Sequence, residues 1–262
     1  MSAPAFTERC VMVNGHPCRI QEKGEGEPIG FLSASPSHLN WSPFMDHLAE
    51  RRRVIVPSLP GFPGSRGHNV LDSHLEWLLA TQELLRAAGL EGADIVAGSV
   101  AGALVADLAA LWPQSVRKLV LVAPFGLYDI NDPTADIWAQ KPGAAPALFC
   151  ADPAAFEHQS RKPDEALPDI EWVIIQTRGM EAAARFLWPL GDTRLAKRLP
   201  RVTASTLLVW GDQDKVMPRS YAERFATKLG GRSSIKIIPG AGHLVDLDQP
   251  KALADAILAF NG

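Results

Sequence analysis

The chain has 262 residues, of which 47% are hydrophobic and 21% are charged, a composition that is typical of a globular protein and excludes a disordered one. Its 26 basic and 29 acidic residues give a formal net charge of −3. The sequence therefore lacks the overall electrostatic signature of a protein that binds nucleic acid or an anionic membrane.

The N-terminus, the apolar runs and the cysteines together predict a cytoplasmic protein. The first ten residues contain no basic segment followed by an apolar run, and no apolar stretch reaches the length of a membrane span. Cys10, Cys18 and Cys150 are odd in number and widely separated, which favours free or buried thiols over a disulfide framework. No paired cysteine and histidine spacing indicates a zinc site, so we expect no bound metal.

Strand-like and helix-like apolar segments alternate along most of the chain. Asn14-Gly15 is a strong signal for a hairpin turn, and Gly89 is a suitable C-terminal cap for the helix that follows Leu71. The predicted strands are 10–14, 18–23, 28–33, 53–57, 93–97, 118–123, 206–210 and 234–238, and the predicted helices are 44–52, 71–88, 100–112, 220–229 and 250–260. This alternation predicts an α/β fold with a mostly parallel, doubly wound sheet that is covered by helices on both faces.

Residues 126–190 interrupt this alternation. No clear strand occurs there, prolines divide the segment into short helical pieces, and aromatic side chains are frequent. We interpret it as a helical cap inserted into a core domain formed by residues 1–125 and 191–262. An ordinary run of packed surface helices is the alternative.

Ser99 lies where a predicted strand passes into a predicted helix. In a nucleophile elbow the serine occupies a sharp, strained turn, and the residues two before and two after it must be small. Here they are Ala97 and Ala101. The helix starting at Val100 directs its free N–H groups toward the serine, which favours a nearby oxyanion. A helix N-cap or a phosphate-binding turn is the alternative, although the segment has neither G-x-G-x-x-G nor a P-loop lysine.

Two later segments place acidic and basic groups after apolar strands. Asp212 and Asp214 follow the strand at 206–210, and His243 follows the last strand in a glycine-rich loop. Histidine is the usual general base near neutral pH, and an aspartate can orient its ring. We interpret Asp212 as a turn former. The order Ser99, Asp214, His243 then predicts a Ser-His-Asp triad.

At these residues the chain resembles the α/β-hydrolase superfamily over nearly its whole length. The segments 57–62, 207–214 and 240–243 match that superfamily, and the end of the insertion at 184–190 is similar to the caps of meta-cleavage-product hydrolases, lactonases and related esterases. The resemblance implies no metal and no organic cofactor. It also excludes the haloalkane dehalogenases and epoxide hydrolases, whose nucleophile is an aspartate.

Two positions depart from the pattern of the superfamily. His-Gly usually follows the third strand, whereas this chain has Ser33-Ala34, followed by Ser35. The resemblance then implies an oxyanion hole formed by the backbone N–H groups of Ser35 and Val100. Meta-cleavage hydrolases commonly have Trp after the catalytic histidine, whereas this chain has Leu244, which disfavours that activity.

These residues predict an enzyme that hydrolyses a small or medium carboxylic ester through an acyl-enzyme. Hydrolysis of a C–C bond or a lactone and a catalytically silent, ligand-binding protein are the alternatives. The aromatics of the insertion, together with Phe125 and Trp188, are candidate pocket residues, with plain packing as the alternative for each. Arg178 and Arg185 are candidates for binding an acidic substrate. Solvation at the protein surface is the alternative for both. We expect a small ester-like substrate as the partner, no nucleic acid or membrane, and either a monomer or a homodimer.

Overall fold

The computed structural model describes residues 6–32, 35, 40–141 and 143–261. Its strands are β1 (Thr7–Val13), β2 (His16–Lys23), β3 (Pro28–Leu32), β4 (Arg53–Pro57), β5 (Ala93–Gly98), β6 (Val116–Val122), β7 (Ser205–Gly211) and β8 (Ser233–Ile238). Its helices are α1 (Pro43–Ala49), α2 (His74–Ala88), α3 (Ser99–Leu111), α4 (Ala145–Phe149), α5 (Pro153–Gln159), α6 (Asp169–Leu187), α7 (Ser220–Ala226), α8 (Val245–Asp248) and α9 (Pro250–Asn261). Every predicted strand and helix of the core is present, with ends that move by a few residues.

The eight strands form one sheet in the order β1-β2-β4-β3-β5-β6-β7-β8. β2 pairs antiparallel with β1 and β4, and all pairs from β4 onward are parallel. The loops after β3, β5, β7 and β8 therefore leave the sheet at the same edge. Ligands of open α/β sheets bind at this carboxyl edge, where the predicted functional residues lie.

Two apolar cores lie on opposite faces of the sheet, as expected for strands buried on both sides. One core packs α1, α8 and α9 against the sheet, and the other packs α2, α3 and α7 against it. The strand β5 contributes to both, because successive side chains such as Ile95 and Val96 point to opposite faces. This rigid, doubly covered sheet fixes the loops at its carboxyl edge.

The helix α2 has one buried face and one exposed face. It begins at His74, after a capping box in which Ser73 and Glu76 satisfy each other's backbone N–H groups. Its buried face includes Trp77, Leu78 and Leu85. Leu75 and Leu79 are exposed. The predicted C-terminal cap is confirmed, since Gly89 has a left-handed φ of 80°.

Between β6 and β7 the chain forms α4, α5 and α6 and no strand among its described residues. We call residues 126–190 the helical insertion. It is anchored to the core by the Phe186 ring, which packs 4.8 Å from the Trp77 ring, and by Glu181, whose carboxylate lies 3.4 Å from the His68 ring. The division of the chain into domains at residues 125 and 190 stays a prediction.

The described residues contain neither a membrane-spanning helix nor a cluster of metal ligands. None of the helices there combines the length and the apolar character required to cross a membrane. The same part of the chain contains no group of three or more His, Cys, Asp or Glu side chains arranged to bind a metal ion.

Candidate active site

Ser99 occupies a strained turn at the carboxyl edge of the sheet. β5 ends at Gly98 and α3 begins at Ser99 itself, one residue earlier than predicted. The φ of Ser99 is 49°, in the left-handed region that a side chain with a Cβ rarely adopts. Ala97 and Ala101 are fully buried on either side of it. The small residues thus allow strand and helix to approach closely, as the sequence predicted.

Close packing against the loop after β6 stabilises this turn. A Cβ added to Gly102 would lie 2.7 Å from the Cβ of Pro124, so only glycine fits at this position without a shift. The next residue, Phe125, donates its backbone N–H to the Ser99 carbonyl at 3.1 Å. The close contact of Gly102 with Pro124 and the hydrogen bond from Phe125 therefore hold Ser99 in its strained conformation.

A continuous chain of hydrogen bonds joins the three candidate residues. Nε2 of His243 lies 2.8 Å from the Ser99 Oγ, and Nδ1 of His243 lies 2.9 Å from Oδ2 of Asp214. Ser99 and His243 are each 1% exposed, and the Asp214 side chain is also 1% exposed. Since a carboxylate only accepts hydrogen bonds, Nδ1 carries the proton and Nε2 is left to accept from the serine hydroxyl.

The carboxylate of Asp214 is held by the backbone of its own loop. Its Oδ1 accepts the N–H groups of Val216 at 2.8 Å and Met217 at 2.9 Å, which leaves Oδ2 directed at His243. Asp212 is exposed and accepts the Gly240 N–H at 2.8 Å. That contact fits the turn-forming role expected for Asp212.

Aromatic rings enclose His243 on two sides. The ring centroids of Phe125 and Phe149 each lie 5.9 Å from that of the histidine. Phe125 is thus a packing residue beside His243. Phe149 belongs to the aromatics of the insertion that the sequence offered as a group, and nothing in its local pattern distinguishes it from the others.

A buried carboxyl group lies three residues after the histidine. Burial raises the pKa of Asp246 from 3.8 to about 7. A hydrogen bond from the backbone lowers this pKa, and the negative charge of Asp248 raises it. The carboxyl group of Asp246 therefore keeps its proton at pH values where an exposed aspartate is ionised.

The two predicted oxyanion donors are only partly described. Val100 is fully buried, and its N–H belongs to the first turn of α3, where backbone N–H groups have no acceptor within the helix. Ser35 is buried at the same edge of the sheet. Ser33 and Ala34 lie outside the described residues.

A cavity of about 340 Å³ lies between Ser35 and the helical insertion. Phe149 forms part of its wall and also packs with its ring centroid 5.9 Å from that of His243, whereas Ser99 and His243 are not among the described residues that line the cavity. Three of its described lining residues are polar, namely Ser35, Gln176 and Thr177, and none is charged. The apolar lining residues are Ile137, Ala145, Phe149, Phe156 and Met180.

The predicted pocket residues Phe125 and Trp188 do not line this cavity. Trp188 is 55% exposed and its indole nitrogen lies 3.4 Å from the Asp136 carboxylate, because α6 ends just before it and turns the ring outward. The two candidate arginines also lie elsewhere. Arg178 lines a separate cavity of about 200 Å³, and Arg185 lies 3.9 Å from Glu181.

The chain matches a known protein family over most of its length. The model of the alpha/beta hydrolase family matches residues 11–256. The chain belongs to this family. Its order of strands, flanking helices and turn at Ser99 are those expected of an α/β hydrolase, and the predicted fold class is confirmed.

Individual proteins similar to this α/β hydrolase include hydrolases of several kinds. A 2-hydroxy-6-oxo-2,4-heptadienoate hydrolase of Pseudomonas putida is 26% identical over 96% of this chain and 95% of its own length. A meta-cleavage product hydrolase from Pseudomonas fluorescens IP01 has a TM-score of 0.76 at 18% identity, with 97% of each chain covered. A bacterial membrane phospholipase A has a TM-score of 0.73 at 21% identity, with 98% of this chain and 86% of its own covered.

Proposed function

We propose that this α/β hydrolase cleaves a small or medium carboxylic ester through an acyl-enzyme formed on Ser99. The observation that carries the proposal is the buried chain of hydrogen bonds from Ser99 through His243 to Asp214, at 2.8 Å and 2.9 Å. A serine hydroxyl is a weak nucleophile unless an adjacent base removes its proton. The position of His243 between Ser99 and Asp214 supports its role as this base.

In the proposed mechanism, His243 accepts the hydroxyl proton as Oγ of Ser99 attacks the ester carbonyl. Asp214 stabilises the imidazolium that forms. The backbone N–H groups of Val100 and Ser35 bind the oxyanion, and one such donor is typically worth about 3 kcal/mol of transition-state stabilisation. The imidazolium returns its proton to the leaving alcohol, and a water molecule deprotonated by His243 then hydrolyses the acyl-enzyme.

The cavity beside Ser35 supports an uncharged acyl group. Its described lining residues carry no charge, and most of them are apolar. Burying a carboxylate there without a cation would cost several kcal/mol. Gln176 and Thr177 can still orient a polar group of the substrate. We further propose that the helical insertion acts as the cap that closes this cavity above the triad.

Hydrolysis of a C–C bond is the second candidate, and the relatives favour it. The Pseudomonas putida relative is named for a heptadienoate substrate, and the IP01 structure is a meta-cleavage product hydrolase. Against it stand Leu244 after the histidine and the absence of a charged residue among the described residues of the cavity wall.

Two measurements test the proposal. A fluorophosphonate probe should label the wild-type protein and leave Ser99→Ala unlabelled, since loss of a triad serine costs on the order of a millionfold in rate. Absence of labelling in folded wild-type protein would point to a ligand-binding α/β hydrolase without activity. Comparing the turnover of p-nitrophenyl esters with that of a ring-fission dienoate then separates ester hydrolysis from C–C hydrolysis. Faster cleavage of the dienoate would overturn the proposed ester hydrolysis.

A further inference from the structure

The loop that carries His243 is held by a hydrogen bond on each side of the histidine, one to Asp248 and one to the helical insertion. The preceding residue, Gly242, donates its N–H to Oδ2 of Asp248 at 2.7 Å. The following residue, Leu244, donates its N–H to the Phe149 carbonyl at 2.9 Å. The backbone of the candidate base is thus fixed at both neighbouring peptide groups.

Asp248 makes the same kind of contact to the insertion. Its Oδ2 also accepts the N–H of Ala151 at 2.8 Å, and its Oδ1 accepts the N–H of Asp152 at 3.0 Å. One carboxylate therefore holds one N–H of the histidine loop and two N–H groups of the segment between α4 and α5. Hydrogen bonds to a charged acceptor are stronger than those between neutral groups.

The local fold explains why Asp248 reaches back to Gly242. A single helical turn, α8, begins directly after Leu244, and the Asp248 N–H bonds to the Leu244 carbonyl at 3.2 Å. This turn brings the Asp248 side chain beside the peptide that precedes the histidine. The negative charge of Asp248 also contributes, after burial, to a raised pKa of the neighbouring Cys150 thiol.

The two segments are in close backbone contact at Gly242. A Cβ added to Gly242 would lie 2.8 Å from the Ala151 nitrogen and 2.9 Å from both the Phe149 oxygen and the Cys150 carbonyl carbon. A shift of residues 149–152 toward the histidine loop would therefore displace the peptide beside His243. Nε2 of His243 must remain within hydrogen-bond distance of Ser99 for proton transfer.

We propose that Asp248 is a positioning residue, which ties the histidine loop to residues 149–152 of the insertion and so holds His243 in register with Ser99. This inference rests on the proposed function for its catalytic consequence. Asp248 itself is not among the described residues that line the cavity beside Ser35. Its loss should consequently lower the rate of chemistry and leave substrate binding nearly unchanged.

The test compares Asp248→Ala, Asp248→Asn and a matched control in the full chain. The control is Asp212→Asn, because Asp212 accepts an N–H of the same loop, that of Gly240, and bonds to none of the described residues of the insertion. The first readout is the rate of Ser99 labelling by a fluorophosphonate, which does not depend on the natural substrate. The second is kcat and KM for a short p-nitrophenyl ester.

We expect Asp248→Ala to slow labelling and kcat about 100-fold, the effect of a displaced catalytic group, with little change in KM. Asp248→Asn should lose about 10-fold, because its single carbonyl oxygen can still accept two N–H groups while its amide faces a third donor. Asp212→Asn should match the wild type. A folded Asp248→Ala that is labelled at the wild-type rate would overturn the proposal, and Asp248→Asn gives the same decision if the alanine variant does not fold.

Hydrogen exchange provides a readout that is independent of catalysis. In Asp248→Asn the segments 149–152 and 240–244 should exchange faster together, whereas Asp212→Asn should affect the second segment alone. Wild-type protein that is not labelled would refute the proposed function without deciding the role of Asp248. Unchanged exchange of residues 240–244 in Asp248→Asn would then refute the coupling itself.

Discussion

Oδ2 of Asp214 lies 2.9 Å from Nδ1 of His243, while Oδ1 of the same carboxylate accepts two backbone N–H groups. In Asp214→Asn the carbonyl oxygen must face those two donors, so the amide NH₂ faces His243. The ring is then forced into the tautomer with a proton on Nε2, which cannot accept the Ser99 proton. We expect kcat to fall roughly 10⁴-fold with the fold intact.

Ester turnover and thermal unfolding check this prediction, with Asp212→Asn as the control of equal charge change. Activity within tenfold of wild type would show that Asp214 does not set the tautomer.

The close approach of α3 to the loop after β6 predicts the effect of a methyl group at Gly102. Alanine normally favours a helix, but here its Cβ would lie 2.7 Å from the Cβ of Pro124. We expect Gly102→Ala to lower the free energy of unfolding by about 1–3 kcal/mol and to slow labelling of Ser99. Urea denaturation measures the first effect. Gly191→Ala, whose Cβ would have its nearest neighbour at 4.0 Å, is the control, and equal stability of the two variants would contradict the argument.

The cavity wall formed by α6 predicts a change in acyl preference. Met180 lines the cavity, whereas Val173 on the same helix is 53% exposed. Met180→Trp should shift the preferred p-nitrophenyl ester toward shorter acyl chains, because the larger ring fills part of the space of about 340 Å³. Val173→Trp should leave the preference unchanged. If Met180→Trp and wild type prefer the same acyl chain length across the ester series, the acyl group binds elsewhere.

The raised pKa of Asp246 predicts how stability depends on pH. Between pH 3.8 and about 7 the folded protein keeps a proton that the unfolded chain releases, so this residue makes the free energy of unfolding fall as pH rises. Above that window both states are ionised and its effect is constant. Asn at this position has no proton to lose. Asp246→Asn should therefore gain stability relative to wild type progressively from pH 3.8 to about pH 7.

Urea midpoints at several pH values measure this difference. Asp255→Asn is the control, since Asp255 is exposed on α9 and pairs only with Lys251 among the described residues. Parallel pH curves for wild type and Asp246→Asn would contradict the prediction.

The core fold and the triad could be predicted because their signals are local in the sequence. The strands are apolar runs between turn residues, and the turn at Ser99 needs small neighbours at fixed spacing. Asp214 and His243 each follow a strand directly, and parallel strands bring those ends to one edge. The structure joins Ser99, His243 and Asp214 by hydrogen bonds, as the predicted triad requires, while their catalytic roles await the experiments above.

Contacts between distant segments could not be predicted in this way. Asp248 and Ala151 are 97 residues apart, and neither lies in a motif that indicates the other. The aromatics of the insertion look alike in the sequence, yet Phe149 and Phe156 face the cavity and Trp188 faces solvent. Their orientation depends on where α6 ends and how it packs, which local periodicity does not encode.

The bonds between the insertion and the histidine loop have a consequence for sequence divergence. On the insertion side they use only peptide groups, the carbonyl of Phe149 and the N–H groups of Ala151 and Asp152. Substitutions other than proline keep these groups, so the side chains of the insertion can drift under selection for new substrates while His243 stays anchored. An enzyme built in this way can change what it accepts without rebuilding how it reacts.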